Sequence, residues 1–271
     1  MGRNQQRKKL QKKKKLEKIT LATILLVVVI GIMWVARMGR TTEKATSQST
    51  ISSTTTPQTE TAEQKFLKNV DLQSWEILLV GPDHKLTTSI DEATTLATVG
   101  AFQMNKNIVP AFEELEAAAQ AAGYPLVIVS AYRSVAYQEK ILNAAIQQKM
   151  ASGMTYDEAL ADAKQTMTEP GYSEHHTGLA LDVVDQSWYT NYSPELLHSN
   201  FGQTDGGKWL AANVAQYGFI IRYPEGKMAI TKIDYEPWHI RYVGKENAEY
   251  MVKNNLTLEE FVEQVSKVQQ K

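Results

Sequence analysis

Gly171-Tyr-Ser173-Glu-His175-His-Thr-Gly178-Leu-Ala-Leu-Asp182-Val-Val-Asp185 is the chemically densest stretch of the chain, with two histidines, two aspartates and two glycines close together. Read as a strand over 179–184, it puts Leu179, Leu181 and Val183 on one face and Ala180, Asp182 and Val184 on the other. The first face then meets the core, and Asp182 points the opposite way into a cleft. Gly178 permits the bend that brings His175 back beside it. One imidazole and one carboxylate are short of a catalytic zinc centre, which usually takes three protein ligands and leaves a position for water.

Further along, Glu236-Pro-Trp-His239 supplies what is missing. His239 is the available third ligand. Glu236, stiffened by Pro237, can stand beside the metal without binding it. A general base must be there to take a proton from a water and return it to a leaving group. The two clusters together point to a single Zn2+ ion with its own base. Of the other histidines, His84 and His198 sit in polar loops and read as ordinary surface residues. His176, next to His175, would point to the other side of an extended chain, behind the ligands or toward a substrate.

Composition narrows the class. The net charge of the 271 residues is −1, but residues 1–40 carry eleven Lys or Arg against the single acid Glu17. The remaining chain is therefore acidic, which argues against nucleic acid, bound largely through Lys and Arg. No cysteine is present. Thiolate metal sites, cysteine nucleophiles and disulfides are excluded together.

Four segments follow from charge and hydropathy. Residues 1–18 form a basic cytoplasmic tail, and 19–36 run without a charge between it and Arg37. At ~1.5 Å per residue the run spans roughly 27 Å, close to a bilayer's hydrocarbon thickness. The basic flank is expected to stay in the cytoplasm, leaving the rest of the chain outside. A cleaved signal peptide is the rival reading, but its apolar region would be shorter and followed by a small-x-small site. Residues 37–65 are rich in Thr and Ser and read as a flexible tether. Residues 66–271 are the folded domain.

Within that domain strands are expected at 75–80, 126–129, 179–184, 219–221 and 228–231. Helices are expected at 110–122, 135–150, 155–167, 208–217, 245–253 and 257–265, with Tyr137, Ile141 and Ile146 facing inward. Thr155-x-x-Glu158 and Thr257-x-x-Glu260 have the form of capping boxes. No βαβ series is evident. The expected class is α+β, a small antiparallel sheet with flanking helices, preceded by one transmembrane helix.

The pattern Ser173-x-His175-x-x-Gly178-x-Ala180-x-Asp182, the Glu236-Pro-Trp-His239 cluster and the earlier Ser130-Ala-Tyr-Arg133-Ser134 resemble the VanY-type zinc D-alanyl-D-alanine carboxypeptidases and the related LdcB/DacB L,D-carboxypeptidases. The resemblance covers about 75–265. It implies the LAS or hedgehog-like zinc peptidase fold, with His175 rather than His176, Asp182 and His239 as zinc ligands and Glu236 as catalytic base. It implies that Arg133 grips the terminal carboxylate of a substrate, with Gln138 and Ser173 orienting that end. The implied protein is a monomeric, single-pass membrane enzyme facing the cell wall that removes terminal D-alanine from peptidoglycan stem peptides. A cross-bridge endopeptidase and a non-catalytic peptidoglycan-binding module are the alternatives.

Overall fold

The computed structural model describes residues 60–270, which lie in one compact unit, Thr59–Lys271. The segments 1–18 and 19–36 fall outside the described residues. Among the described residues no helix is long and apolar enough to cross a membrane.

Two antiparallel sheets carry the strands. A hairpin pairs β1 (Leu96–Val99) with β2 (Phe102–Asn105). The main sheet contains β3 (Leu126–Ser130), β4 (Ala180–Asp185), β5 (Phe219–Ile221) and β6 (His239–Tyr242), in the order β3-β4-β6-β5. Every neighbouring pair is antiparallel, which bears out the expected α+β class. All six residues of β4 are buried. Both faces of this central strand are therefore covered, and Asp182 on the second face lines a cavity, as expected.

The helix Val109–Ala121 starts with Pro110 in its first turn and buries Phe112, Leu115 and Ala119, which share one face at helical spacing. Phe112 and Leu115 join Leu181, Val183, Trp238 and Ile240 in the main core. A second core forms where Leu258, Phe261 and Val265 of the helix Leu258–Gln269 meet Leu67, Ile77 and Met251. Both expected capping boxes are present, at Thr155 with Glu158 and at Thr257 with Glu260. A third, Thr61 with Gln64, opens the helix Ala62–Asn69. This helix begins inside the stretch assigned to the tether. Reciprocal capping and the burial of Leu67 against the last helix order residues whose composition alone suggested a linker.

Several expectations fail for identifiable reasons. Residues 75–80 contain the 3-10 turn Trp75–Ile77 rather than a strand. Their carbonyls do not pair in a sheet: Glu76 and Leu78 accept from Arg241, and Val80 from Arg222. Residues 228–231 form a helical turn, Met228–Thr231, so β5 is flanked by β6 and not by a returning strand. Short apolar runs carry too little periodicity to separate the two states. The hairpin β1–β2 and strand β6 were not anticipated. On the helix Val135–Ala151 the inward residues are Gln138, Leu142 and Ile146, while Tyr137 is 52% exposed. Ile146 faces inward as expected, while the buried, hydrogen-bonded Gln138 takes the place expected of Tyr137.

Gly178 ends the Glu174–Thr177 turn with φ 68°, and its carbonyl accepts from Asn105 N. A Cβ there would lie 2.8 Å from that nitrogen and 2.9 Å from Leu96 Cδ2. The left-handed conformation and the close approach both require glycine. Gly178→Ala is expected to destabilise the domain by about 2–3 kcal/mol, read from denaturant midpoints. A loss below about 0.5 kcal/mol would contradict this account of the turn.

Candidate metal centre

Antiparallel register does the first part of the assembly. Asp182 on β4 lies directly opposite His239 on β6, so their side chains share a face with Cβ atoms about 5 Å apart. His175 arrives from the turn Glu174–Thr177, whose start is capped by Ser173 Oγ accepting from His175 N at 3.3 Å. His175 Nδ1 is 2.7 Å from the Ala131 carbonyl, which can only accept. The proton therefore sits on Nδ1, leaving the Nε2 lone pair 3.3 Å from Asp182 Oδ2. On the other side, His239 Nδ1 is 3.1 Å from Asp182 Oδ1 and 3.5 Å from Glu236 Oε2.

One ligand atom from each of His175, Asp182 and His239 lies within 4.8 Å of the others, and all three residues are buried. His175 Nε2 and Asp182 Oδ1 have no hydrogen-bond partner. Two imidazoles and a carboxylate, with inward-facing orphaned atoms and no thiolate, are the donor set of a catalytic zinc site. The residues present fit that ion.

The remaining expected residues converge on the same cavity of about 440 Å³, lined by Arg133, Gln138, Ser173 and Glu236 beside the three candidate ligands. Glu236 is held in a tight turn: its N–H donates to Tyr223 O at 3.0 Å, and its own carbonyl accepts from His239 N at 3.1 Å. Arg133 Nη1 donates to Gln138 Oε1 at 3.1 Å, and Nη2 stands 3.5 Å from Asp182 Oδ2. Its Nε has no partner, so much of the guanidinium fork is unused. Gln138 has both ends of its amide engaged, since Nε2 donates to Thr168 O at 2.8 Å. It orients Arg133 directly. Ser173 accepts one bond and keeps its hydroxyl proton for another acceptor.

His176 turns away from the donor cluster. Its Nδ1 donates to Arg133 O at 2.7 Å and its Nε2 accepts from Gly171 N at 3.1 Å. With Arg133 N donating to His175 O at 3.2 Å, these bonds fasten the Arg133 segment to the histidine turn.

Sequence reasoning missed three residues behind the site. Glu174 is fully buried, and its Oε1 accepts from Arg222 Nε at 2.7 Å and from Arg241 Nη1 at 2.6 Å. The available signal was an arginine in each of two apolar strand contexts, Phe219-Ile-Ile-Arg222 and His239-Ile-Arg241, next to an acid in the densest motif.

The field inside is uneven. Burial and the Arg133 charge push His175 down to about 4, so it is neutral and free to donate its lone pair. Burial opposes charge on His239 too, but the Asp182 and Glu174 carboxylates hold it up at about 9. Burial raises the Asp182 carboxyl, yet His175 and His239 keep it well below the usual range. Burial pushes Glu236 up to about 8. A field that favours a proton on His239 also favours a divalent cation between the three side chains.

Residues 101–245, more than half of the chain, match the family model described as VanY, D-alanyl-D-alanine carboxypeptidase. The chain belongs to the VanY carboxypeptidase family. Within it, the chain is 41% identical over 165 residues to the putative carboxypeptidase YodJ of Bacillus subtilis, covering 61% of this chain and 55% of that relative. The vancomycin-resistance D,D-pentapeptidase VanY, solved in complex with Zn(II), is 30% identical, with a TM-score of 0.59 over 70% of this chain and 99% of that one. The L,D-carboxypeptidase LdcB is 36% identical, with a TM-score of 0.58 over 70% of this chain and 88% of that one. The VanY-family fold thus extends over both the β4 turn and the Glu236–His239 turn.

Two raised values give a pH dependence. His239 stabilises the metal-free fold below the ordinary imidazole value of ~6.5, and this contribution is lost as pH rises through about 9. Protonated Glu236 contributes below the ordinary carboxyl value of ~4.3, and its contribution is lost as pH rises through about 8. The chelator-treated protein is therefore expected to lose thermal stability between pH 6.5 and 9.5, with added zinc reversing the loss. A flat or rising melting temperature over that window in the metal-free protein would contradict it.

Proposed function

We propose that this chain is a zinc-dependent carboxypeptidase that removes the C-terminal D-alanine from peptidoglycan stem peptides. The observation that carries the reading is the placement of the part-unpaired Arg133 fork in the same cavity as the three convergent donors and Glu236. A guanidinium matches a carboxylate bidentately, so the cavity suits a peptide's free C-terminus. The likeness to the L,D-carboxypeptidase LdcB, whose structure shows peptidoglycan recognition, and to the D,D-pentapeptidase VanY supports the substrate class.

In this reading His175 Nε2, Asp182 and His239 Nδ1 hold the ion. Bound there, zinc supplies Lewis acidity to the scissile carbonyl and acidity to a water. The chain's own residues do the rest. Arg133, held by Gln138 and by the His176 bond to its backbone carbonyl, fixes the terminal carboxylate, and Ser173 offers its hydroxyl to the same end. This sets which peptide bond lies beside Glu236. Glu236, which lines the cavity beside the three donors, accepts a proton on its carboxylate and delivers it to the departing D-alanine nitrogen. D-alanine ends occur on both D-Ala-D-Ala pentapeptides and L-Lys-D-Ala tetrapeptides, and the reading extends to either.

Incubation with purified penta- and tetrapeptide muropeptides is expected to release free D-alanine from at least one of them, with loss on chelation and recovery on adding zinc. Glu236→Ala is expected to lower kcat about 10²–10⁴-fold. Arg133→Ala is expected chiefly to raise KM, and an amidated C-terminus to abolish cleavage by the parent protein. Absence of D-alanine release from both substrates would sink the reading; cross-bridge cleavage unaffected by Arg133→Ala would replace it with an endopeptidase.

We further propose that residues 19–36 anchor the enzyme, with residues 66–271 on the cell-wall side. The support is the uncharged run beside nine basic residues in 3–18. Full-length chain is expected in the membrane fraction and accessible to external protease. Recovery in the soluble fraction, or protection from that protease, would remove the proposal.

A further inference from the structure

Glu174 sits beside the candidate ligand His175 in sequence, yet it serves the other histidine. Its side chain has no exposure, and neither do those of Arg222 and Arg241. Burying three charges is costly, and nothing about a small core demands it. Both arginines are satisfied at a single oxygen, Oε1. The second oxygen, Oε2, is left without a hydrogen-bond partner and faces His239 Nε2 at 3.5 Å. That nitrogen is equally without a partner. Two buried orphaned atoms of complementary type thus confront one another, a few tenths of an ångström beyond hydrogen-bond length.

The chemistry of His239 explains the pairing. Its Nδ1 is the nitrogen turned to Asp182 and Glu236. When Nδ1 donates its lone pair, the ring proton must reside on Nε2, and a proton there points at Glu174 Oε2. We propose that Glu174 is a positioning residue for the metal centre: held by Arg222 and Arg241, its free oxygen fixes the tautomer and ring orientation of His239 so that Nδ1 faces the ion. This rests on the reading of His175, Asp182 and His239 as the zinc ligands. A carboxylate behind a ligating histidine raises its basicity and locks its angle. The clamp is anchored remotely, since Arg222 also donates to Glu259 Oε1 at 2.7 Å in the first turn of the helix Leu258–Gln269. Arg241 reaches the carbonyls of Glu76 and Leu78.

The test compares Glu174→Gln with Glu259→Gln in the full chain. Zinc affinity is measured by competition with a chromophoric chelator, alongside the visible spectrum of the cobalt-substituted protein and the melting temperature without metal. Glu174→Gln is expected to weaken zinc binding about 10–100-fold and to shift the cobalt bands. Glu259→Gln, which disturbs the same network from its far end, is expected to lower the melting temperature and leave both metal readouts unchanged. Zinc affinity and cobalt bands of Glu174→Gln within twofold and unshifted would overturn the proposal, as would equal metal effects in the two variants. If Glu174→Gln does not fold, histidine ¹⁵N correlation spectra of the zinc-loaded parent decide: a hydrogen-bonded proton on His239 Nε2 supports the proposal, and zinc on Nε2 overturns it. A parent protein that binds no zinc would instead refute the ligand assignment.

Discussion

The register of β4 against β6 is the constraint on which the site depends. Pairing Asp182 with His239 sets a carboxylate and an imidazole side by side on one face, with backbone hydrogen bonds holding the spacing. A slip of one residue would turn His239 to the other face and dissolve the cluster. The register is secured from both sides, because β4 is central and fully buried and its odd-numbered face, Leu181 and Val183, is committed to the main core. Core packing and site geometry are thus one requirement met by alternate residues of the same strand.

The turn that precedes β4 brings the remaining groups to that register. Between Ser173 and Gly178 each side chain is spoken for: Ser173 caps the turn, Glu174 meets Arg222 and Arg241, His175 faces Asp182, His176 ties down the Arg133 segment, and Thr177 donates to the Glu174 carbonyl. A 3-10 turn makes this divergence available, since consecutive residues point about 120° apart. Gly178 then reverses the chain in a conformation other residues resist. The cavity inherits opposite fields on its two histidines, with His175 beside the Arg133 cation and His239 between two carboxylates.

Much of this was legible along the chain. The residues His175, Asp182, Glu236 and His239 stood out because their types and local settings are chemically loaded, and the structure brings all four together. Helices with full apolar stripes or capping boxes, such as Val109–Ala121 and Leu258–Gln269, were recognisable for the same reason. Where expectation failed, the backbone's partner was distant. The carbonyls of 76, 78 and 80 are taken by arginines more than 140 positions away, so a strand-like run does not become a strand. Tyr137, expected inward, is exposed instead, because Gln138 takes the inward position beside Arg133 and Thr168.

By itself the sequence determined the family, the α+β class, the donor set and the acid beside it, since these follow from residue type and short-range spacing. Only the tertiary structure decided which nitrogen of each histidine faces the centre, what Gln138 and His176 contact, and that Glu174 lies behind His239. Those outcomes depend on cross-strand register and on ion pairs between segments far apart in the chain, and local chemistry carries no record of which distant partner a buried polar group will meet.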